Sequence, residues 1–146
     1  MATSEAIPNH LATPSRGKGL NIGLWTVQGL LAAAFLAGGA MKLTAPIEQL
    51  QAAMPWVSGS LGGLVRFIGT VEVLGAIGLI VPSATRIQPK LTPLAALGLV
   101  IVMVLAALTH LSRGELQALP INAVLGGLAA FVAWGRFRKA PIVARD

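Results

Sequence analysis

Four long apolar segments alternate with short polar connections along the chain. They cover about residues 20–42, 64–82, 91–111 and 116–136. Each is close to the ~20 residues that an α-helix needs to cross the ~30 Å hydrocarbon core of a bilayer. The period-two alternation of transmembrane β-strands is missing from them. Because a backbone in lipid must satisfy its own hydrogen bonds, the pattern predicts an all-α fold, a bundle of four transmembrane helices.

Proline positions support these limits. Pro82 closes the second segment and Pro120 lies at the start of the fourth, whereas an interior proline would remove a helical hydrogen bond. Residues 1–19 are rich in Ser, Thr, Pro and Gly, so they are interpreted as a flexible N-terminal tail before a transmembrane domain of residues 20–138. Residues 139–146 form a basic C-terminal tail.

The first connection contains a segment that fits two structures. Residues 47–54 suggest a short helix lying at the membrane interface, with Trp56 as an aromatic anchor. An ordinary loop is the equally weighted alternative.

Composition narrows the class of protein. The chain is 55% hydrophobic and 11% charged, which leaves too few polar groups to coat a soluble domain and too much hydrophobicity for disorder. Cysteine is absent and only two histidines occur. We therefore expect no disulfide, metal site, iron–sulfur cluster or covalently bound cofactor.

The basic residues indicate an orientation. The net charge is +6, but the cations lie between apolar segments, so membrane topology explains them better than nucleic-acid binding does. One side would carry Arg16, Lys18, Arg86, Lys90, Arg136, Arg138, Lys139 and Arg145, and the other Lys42, Arg66 and Arg113. This asymmetry predicts that both termini are cytoplasmic. Arg136, Arg138 and Lys139 are expected to stop transfer and to contact anionic lipids.

Polar residues inside the apolar segments are the candidate functional groups, because they are costly in a bilayer. Gln28 and Lys42 share one helical stripe, and Glu72, His110 and Asn122 each share a face with small residues. We expect these five residues to form a ligand-binding polar cluster, centred in the outer half on Glu72, with Lys42 as its ion partner. Arg66 is expected to snorkel to the interface.

Each candidate also has a structural explanation. The Lys42–Glu72 pair could only fix the helix register, and His110 could be an interfacial residue. Asn122 could belong to the first turn of its helix, and Gln28 could be an interhelical hydrogen-bond partner.

Several segments resemble the DoxX-like family of small bacterial membrane proteins with four helices. The resemblance covers about residues 20–138, and the segments that carry it are Gly38–Leu43, Phe67–Pro82, Leu91–Leu99, Ala107–His110 and Phe131–Phe137. It implies a multi-pass protein of the bacterial inner membrane, and the lysine and glutamate of the family pattern match Lys42 and Glu72. Some members are associated with quinone-linked or oxidative-stress complexes, so the resemblance implies oxidoreductase subunits as partners. It carries over no set of catalytic residues.

Three functions follow from these observations. The first is an accessory subunit that binds a lipophilic ligand such as a quinone, either within a membrane complex or as a homo-oligomer. The second is a small proton-coupled transporter that uses Glu72, and the third is a purely structural or assembly protein. An independent enzyme ranks last, because the sequence contains no nucleophile–base pair, metal set or cofactor motif.

Overall fold

A computed structural model describes residues 16–145 of the chain. The prediction of a flexible N-terminal tail falls mostly on residues 1–15, which lie outside this range. The helices are α1 (Arg16–Thr44), α2 (Ile47–Ala53), α3 (Gly62–Thr85), α4 (Leu91–Ser112) and α5 (Leu119–Trp134). Short 3₁₀ turns cover Gly59–Leu61 and Leu116–Ala118, and a π-helical turn covers Gly135–Lys139.

The all-α prediction is confirmed, since the described residues contain four helices long and apolar enough to cross a membrane and no strand. The limits differ by three residues or more at three helix ends, one of which is the start of α5 at Leu119 rather than residue 116. α1 begins at Arg16 rather than near residue 20, and α3 continues past Pro82 to Thr85. The Ser83 hydroxyl donates a 2.8 Å hydrogen bond to Thr92 Oγ1, which ties the last turn of α3 to α4.

The four long helices form a closed ring. α1 packs against α3, α3 against α4, α4 against α5, and α5 returns to α1. The core is apolar and includes residues of all four helices: Leu24, Leu31, Phe35, Ala76, Leu79, Ala96, Leu99, Met103, Ala129, Val132 and Ala133. Large apolar side chains also cover the outside, including Leu30, Leu74, Leu105 and Val124, each more than half exposed. An apolar exterior of this kind suits acyl chains rather than water.

The two ends of the bundle differ. We call the end where α1 begins and α5 ends the terminal end, and the opposite end the loop end. At the loop end the 47–54 segment is helical, as α2, rather than an open loop. Leu50 packs there with Val57 and Val65, and half-buried Trp56 lies against this small cluster. At the terminal end, the Arg145 amide donates a 3.1 Å hydrogen bond to the Arg86 carbonyl, so the C-terminal segment folds back over the helix ends.

Candidate functional site

Lys42 and Glu72 form a salt bridge between α1 and α3 near the loop end. Lys42 Nζ lies 2.8 Å from Glu72 Oε2 and 3.0 Å from Oε1, so one ammonium group serves both carboxylate oxygens. Glu72 is buried and Lys42 is half-buried. The contact is therefore the interhelical pair that the sequence suggests. An ammonium group has three N–H donors, and among residues 16–145 only Glu72 accepts from it. Lys42 thus retains donor capacity for another group.

Glycines bring the two helices close enough to form this pair. A Cβ on Gly39 would lie 2.8 Å from the Gly69 carbonyl oxygen, and a Cβ on Gly69 would lie 2.8 Å from the Gly39 carbonyl oxygen. Neither position can carry a side chain without moving backbone. This close approach is the one that small residues permit between membrane helices.

Arg66 holds the helix end that carries Lys42. Its guanidinium donates to the Lys42 carbonyl and, at 2.8 Å, to the Ala45 carbonyl. These carbonyls lie where α1 ends and have no partner within the helix, so a cation there also complements the helix dipole. The helix end thus offers the Arg66 guanidinium two acceptors nearby, and the expectation that this group reaches the membrane interface stays a prediction.

Gly38 leaves space directly beside the salt bridge. A Cβ at this position would lie 3.6 Å from Lys42 Nζ and 3.7 Å from Glu72 Oε2. These are ordinary van der Waals distances, so the glycine is not required by crowding. The residue is half-buried. Both charged groups therefore face a position where the chain provides no side chain.

His110 does not join this pair. Its Nδ1 lies 2.7 Å from Glu115 Oε2, and Arg113 Nε donates to Glu115 Oε1 at 2.8 Å. The place of His110 in the predicted cluster is therefore not supported by a hydrogen bond to Glu72, because a carboxylate five residues away in the connection to α5 supplies a nearer partner, and a role of His110 towards a ligand stays a prediction. The hydrogen bonds from Arg113 and His110 lower the pKa of the Glu115 carboxyl below its ordinary value.

Asn122 is buried in the first part of α5. Its Nδ2 has no hydrogen-bond partner among the described residues. The structure does not join it to Lys42 or Glu72 by a hydrogen bond. An unpaired amide in an apolar environment is costly, and this donor is left unsatisfied by the described residues.

Gln28 lies toward the terminal end and belongs to a different group of residues. It is fully buried, donates to the Leu79 carbonyl at 2.5 Å and accepts from Arg136 Nε at 2.6 Å. Its predicted place in the Glu72 cluster is wrong. Gln28 and Lys42 share a stripe, but fourteen residues of helix separate them by ~21 Å along the axis.

Among the basic residues expected to contact lipid, Arg136 differs most from its expected environment. It was expected to contact lipids but is 3% exposed. Nη1 donates to Asn21 Oδ1 at 2.6 Å, and the guanidinium carbon lies 5.4 Å from the centre of the Trp25 ring. The π-helical turn from Gly135 carries this side chain inward, and Gly135 leaves room for Leu24.

Arg138 and Lys139, the other two basic residues near the end of the fourth segment, are exposed. Lys139 Nζ lies 5.7 Å above the Trp134 ring centre, and Arg138 has no hydrogen bond or salt bridge among the described residues. Their predicted contact with anionic lipid remains a prediction.

Sequence reasoning missed Asn21, Trp25 and Glu115. A signal for the first existed, because Asn21 and Gln28 are seven residues apart and share a stripe with Leu24, Leu31 and Phe35. Two amides on an otherwise apolar buried stripe require a polar partner from another helix. The π-helical turn that delivers Arg136 has no comparable signal.

No group of three or more His, Asp or Glu that could hold a metal ion occurs within residues 16–145. The chain contains no cysteine. What the Lys42–Glu72 pair itself offers is hydrogen bonding and charge.

Comparison of the sequence with models of known families identifies the family of the chain. A model of the DoxX-like family matches residues 26–132. The chain belongs to the DoxX-like family. The DoxX-like match includes both members of the salt bridge, whereas Asn21 and Arg136 lie outside it. Comparison with curated proteins and with solved structures gave no significant match.

Proposed function

We propose that this DoxX-like integral membrane protein is an accessory subunit that binds the polar group of a lipophilic ligand, such as a quinone, beside the Lys42–Glu72 pair. The observation that carries the proposal is the geometry at Gly38. A charged pair with a buried carboxylate and a half-buried ammonium group faces a position without a side chain.

The chemistry of the pair suits a carbonyl ligand. Lys42 keeps a donor that is not directed to Glu72 and can bind a carbonyl oxygen. Glu72 keeps the ammonium group oriented, and Arg66 holds the end of α1 from which Lys42 projects. The unpaired Asn122 amide is a second donor in the same half of the bundle. In this proposal the pair positions a ligand and performs no reaction alone.

Location and partners complete the proposal. We infer that the loop end faces the periplasm of a bacterial inner membrane and that both termini are cytoplasmic, because the terminal end carries most of the basic residues. Subunits of a membrane oxidoreductase or further copies of the chain are the proposed partners.

The geometry does not favour the transporter alternative. Both oxygens of Glu72 accept from the same ammonium group, and proton uptake by the carboxylate would have to break that salt bridge. Release of protons on addition of a substrate in detergent would revive this alternative.

The proposal is tested by counting quinone bound to the protein in lipid nanodiscs. Decylubiquinone is added to discs with and without protein, the discs are separated by size, and the quinone is extracted and quantified. We expect about one extra quinone per wild-type chain. Lys42→Met/Glu72→Gln should reduce apparent affinity about tenfold, the value of a charge-assisted hydrogen bond. Because both charges are removed together, no unpaired charge is left inside the fold.

Glycine variants separate binding from stability. Gly38→Leu should fill the space beside the pair and lower quinone retention, whereas Gly29→Leu on the same helix, where no atom lies within 4 Å, should not. Helix content and thermal unfolding measured by circular dichroism report on folding. Wild-type retention by both the folded double variant and Gly38→Leu would assign the pair a structural role alone.

A further inference from the structure

A cavity of about 280 Å³ lies at the terminal end, far from the Lys42–Glu72 pair. Its walls come from the end of α3, the start of α4, the π-helical turn and the C-terminal segment. They include Pro89, Pro93, Phe137 and Ile142, which are apolar, and two cations, Lys90 and Arg136. The cavity thus combines an apolar lining with positive charge.

The guanidinium of Arg136 is only partly satisfied. Nε and Nη1 donate to Gln28, Asn21 and the Ala140 carbonyl, which are all neutral groups. Nη2 is buried and has no hydrogen-bond partner among the described residues. Within that part of the chain no carboxylate forms a salt bridge with Arg136. A buried charge without a counter-ion is costly, so this arrangement favours an anion nearby.

The surroundings reinforce this preference. Arg86, Arg138, Lys139 and Arg145 lie at the same end of the bundle. The three acidic residues in the described part of the chain are Glu48, Glu72 and Glu115, and all belong to the loop-end half. Among the side chains that the structure describes, an anion approaching the cavity therefore meets only positive charge.

We propose that this cavity binds the phosphate group of an anionic membrane lipid. Nη2 of Arg136 keeps two N–H donors that no described residue accepts. Charge-assisted donors of this kind bind phosphate oxygens strongly, and Lys90 at the rim supplies a second charge. The proline, phenylalanine and isoleucine walls suit the glycerol and first methylenes of a lipid better than a free ion. The helix ends also place the cavity where head groups meet the hydrocarbon core, and basic pockets between helices are known to take such head groups. The site is independent of the Lys42–Glu72 proposal.

Native mass spectrometry of the purified full chain tests this proposal. The protein is mixed in detergent with phosphatidylglycerol, or with zwitterionic phosphatidylcholine as the reference lipid, and the bound fraction is measured against lipid concentration. Wild-type protein should retain one phosphatidylglycerol at least tenfold more tightly than phosphatidylcholine. Lys90→Gln should weaken that binding about fivefold, the effect of one basic residue on an anionic lipid.

A matched variant distinguishes a defined site from general attraction. Arg138→Gln removes the same charge from an exposed position that does not line the cavity, and it should leave retention within twofold of wild type. An equal loss in Arg138→Gln and Lys90→Gln would overturn the proposal in favour of a diffuse basic surface. Arg136→Gln should abolish the preference for the anionic lipid. If Arg136→Gln does not fold, the loss of phosphatidylglycerol binding in Lys90→Gln and Phe137→Ala, which alter the cavity lining, still tests whether the cavity is the binding site.

A competition experiment identifies the source of the phosphate. Glycerol 1-phosphate, which carries the anion without acyl chains, is added at millimolar concentration to the wild-type complex. Less than twofold displacement is expected, since the apolar walls contribute to binding. Complete displacement, with the soluble ester itself retained, would show a site for soluble phosphate esters and overturn the assignment to lipid.

Discussion

At the scale of single residues, the buried polar groups find partners in two different ways. Glu72 pairs with one opposite charge, whereas Arg136 is surrounded mainly by neutral amide and carbonyl groups. A closed ion pair neutralises its own charge, but neutral dipoles only solvate a cation and leave its net charge in place. This difference is the basis of our two proposals, a neutral carbonyl compound at the loop end and an anion at the terminal end.

The exposed ion pairs around Glu115 make a pH-dependent prediction. Arg113 and His110 hold the pKa of this carboxyl below its ordinary value of 4.5. Because the folded-state pKa is depressed, the contribution of Glu115 to stability is fully present above about pH 4.5 and is lost as pH falls through the lower folded value. Glu115→Gln should therefore unfold at a slightly lower temperature than wild type at pH 7, and the difference should vanish in strong acid.

Thermal unfolding in detergent, followed by circular dichroism between pH 7 and 2.5, measures this difference. Glu48→Gln on α2 is the matched control and should show no such convergence, since Glu48 forms no recorded ion pair in the described part of the chain. A Glu115→Gln offset that persisted unchanged at the lowest pH would show that the carboxylate charge is not its cause.

At the scale of helices, two glycines let the backbones of α1 and α3 approach each other closely. The backbone of each helix approaches a glycine of the other, Gly39 and Gly69. Gly69→Ala would place a methyl group 2.8 Å from the Gly39 carbonyl oxygen and 2.9 Å from Lys42 Cβ. The helices would have to separate, at a cost of ~1–3 kcal/mol.

Unfolding in a denaturing detergent measures this cost. Gly29→Ala on α1 has no atom within 4 Å of its new methyl group and should be neutral or slightly stabilising. Gly69→Ala should also reduce quinone retention, because it shifts Lys42. Equal stability of the two variants would mean that the α1–α3 contact tolerates expansion.

Sequence patterns predicted the helices well, but they predicted the partners of only some of the buried polar side chains. Apolar length alone determines a membrane span, so all four helices were predictable. Lys42 and Glu72 were identifiable because opposite charges in adjacent hydrophobic segments need each other. Residues on one helical stripe face the same side of the helix, but the stripe does not say how far apart along the helix axis they lie. Gln28 was therefore assigned to the Glu72 cluster although it lies toward the terminal end. The inward turn of Arg136 depends on five residues of π-helix, and their sequence carries no distinct pattern.

At the scale of the whole molecule, the orientation in the membrane is testable with the chain as it stands. The sequence contains no cysteine, so single cysteines can be introduced without first removing others. Ser60 is exposed at the loop end and Ala144 is exposed at the terminal end. With both termini cytoplasmic, a membrane-impermeant maleimide added to intact cells should label Ser60→Cys, and Ala144→Cys should react only after lysis.

The two variants serve as controls for each other, because lysis should make both reactive. Labelling of Ala144→Cys but not Ser60→Cys in intact cells would show that the orientation is the reverse of the predicted one. The proposed quinone site would then lie in the cytoplasmic half and the proposed phosphate site in the periplasmic half, although the contacts described at each end would be unchanged.

The return of the C-terminal segment to Arg86 has a practical consequence for purification. Pro141 and Ile142 of this segment line the same cavity as Arg136. A peptide appended after this segment therefore begins only a few residues along the chain from the cavity wall. An aspartate-rich epitope fused there would bring its own carboxylates to the proposed anion site. A polyhistidine or uncharged tag is therefore the appropriate choice for any experiment that asks what co-purifies with this protein.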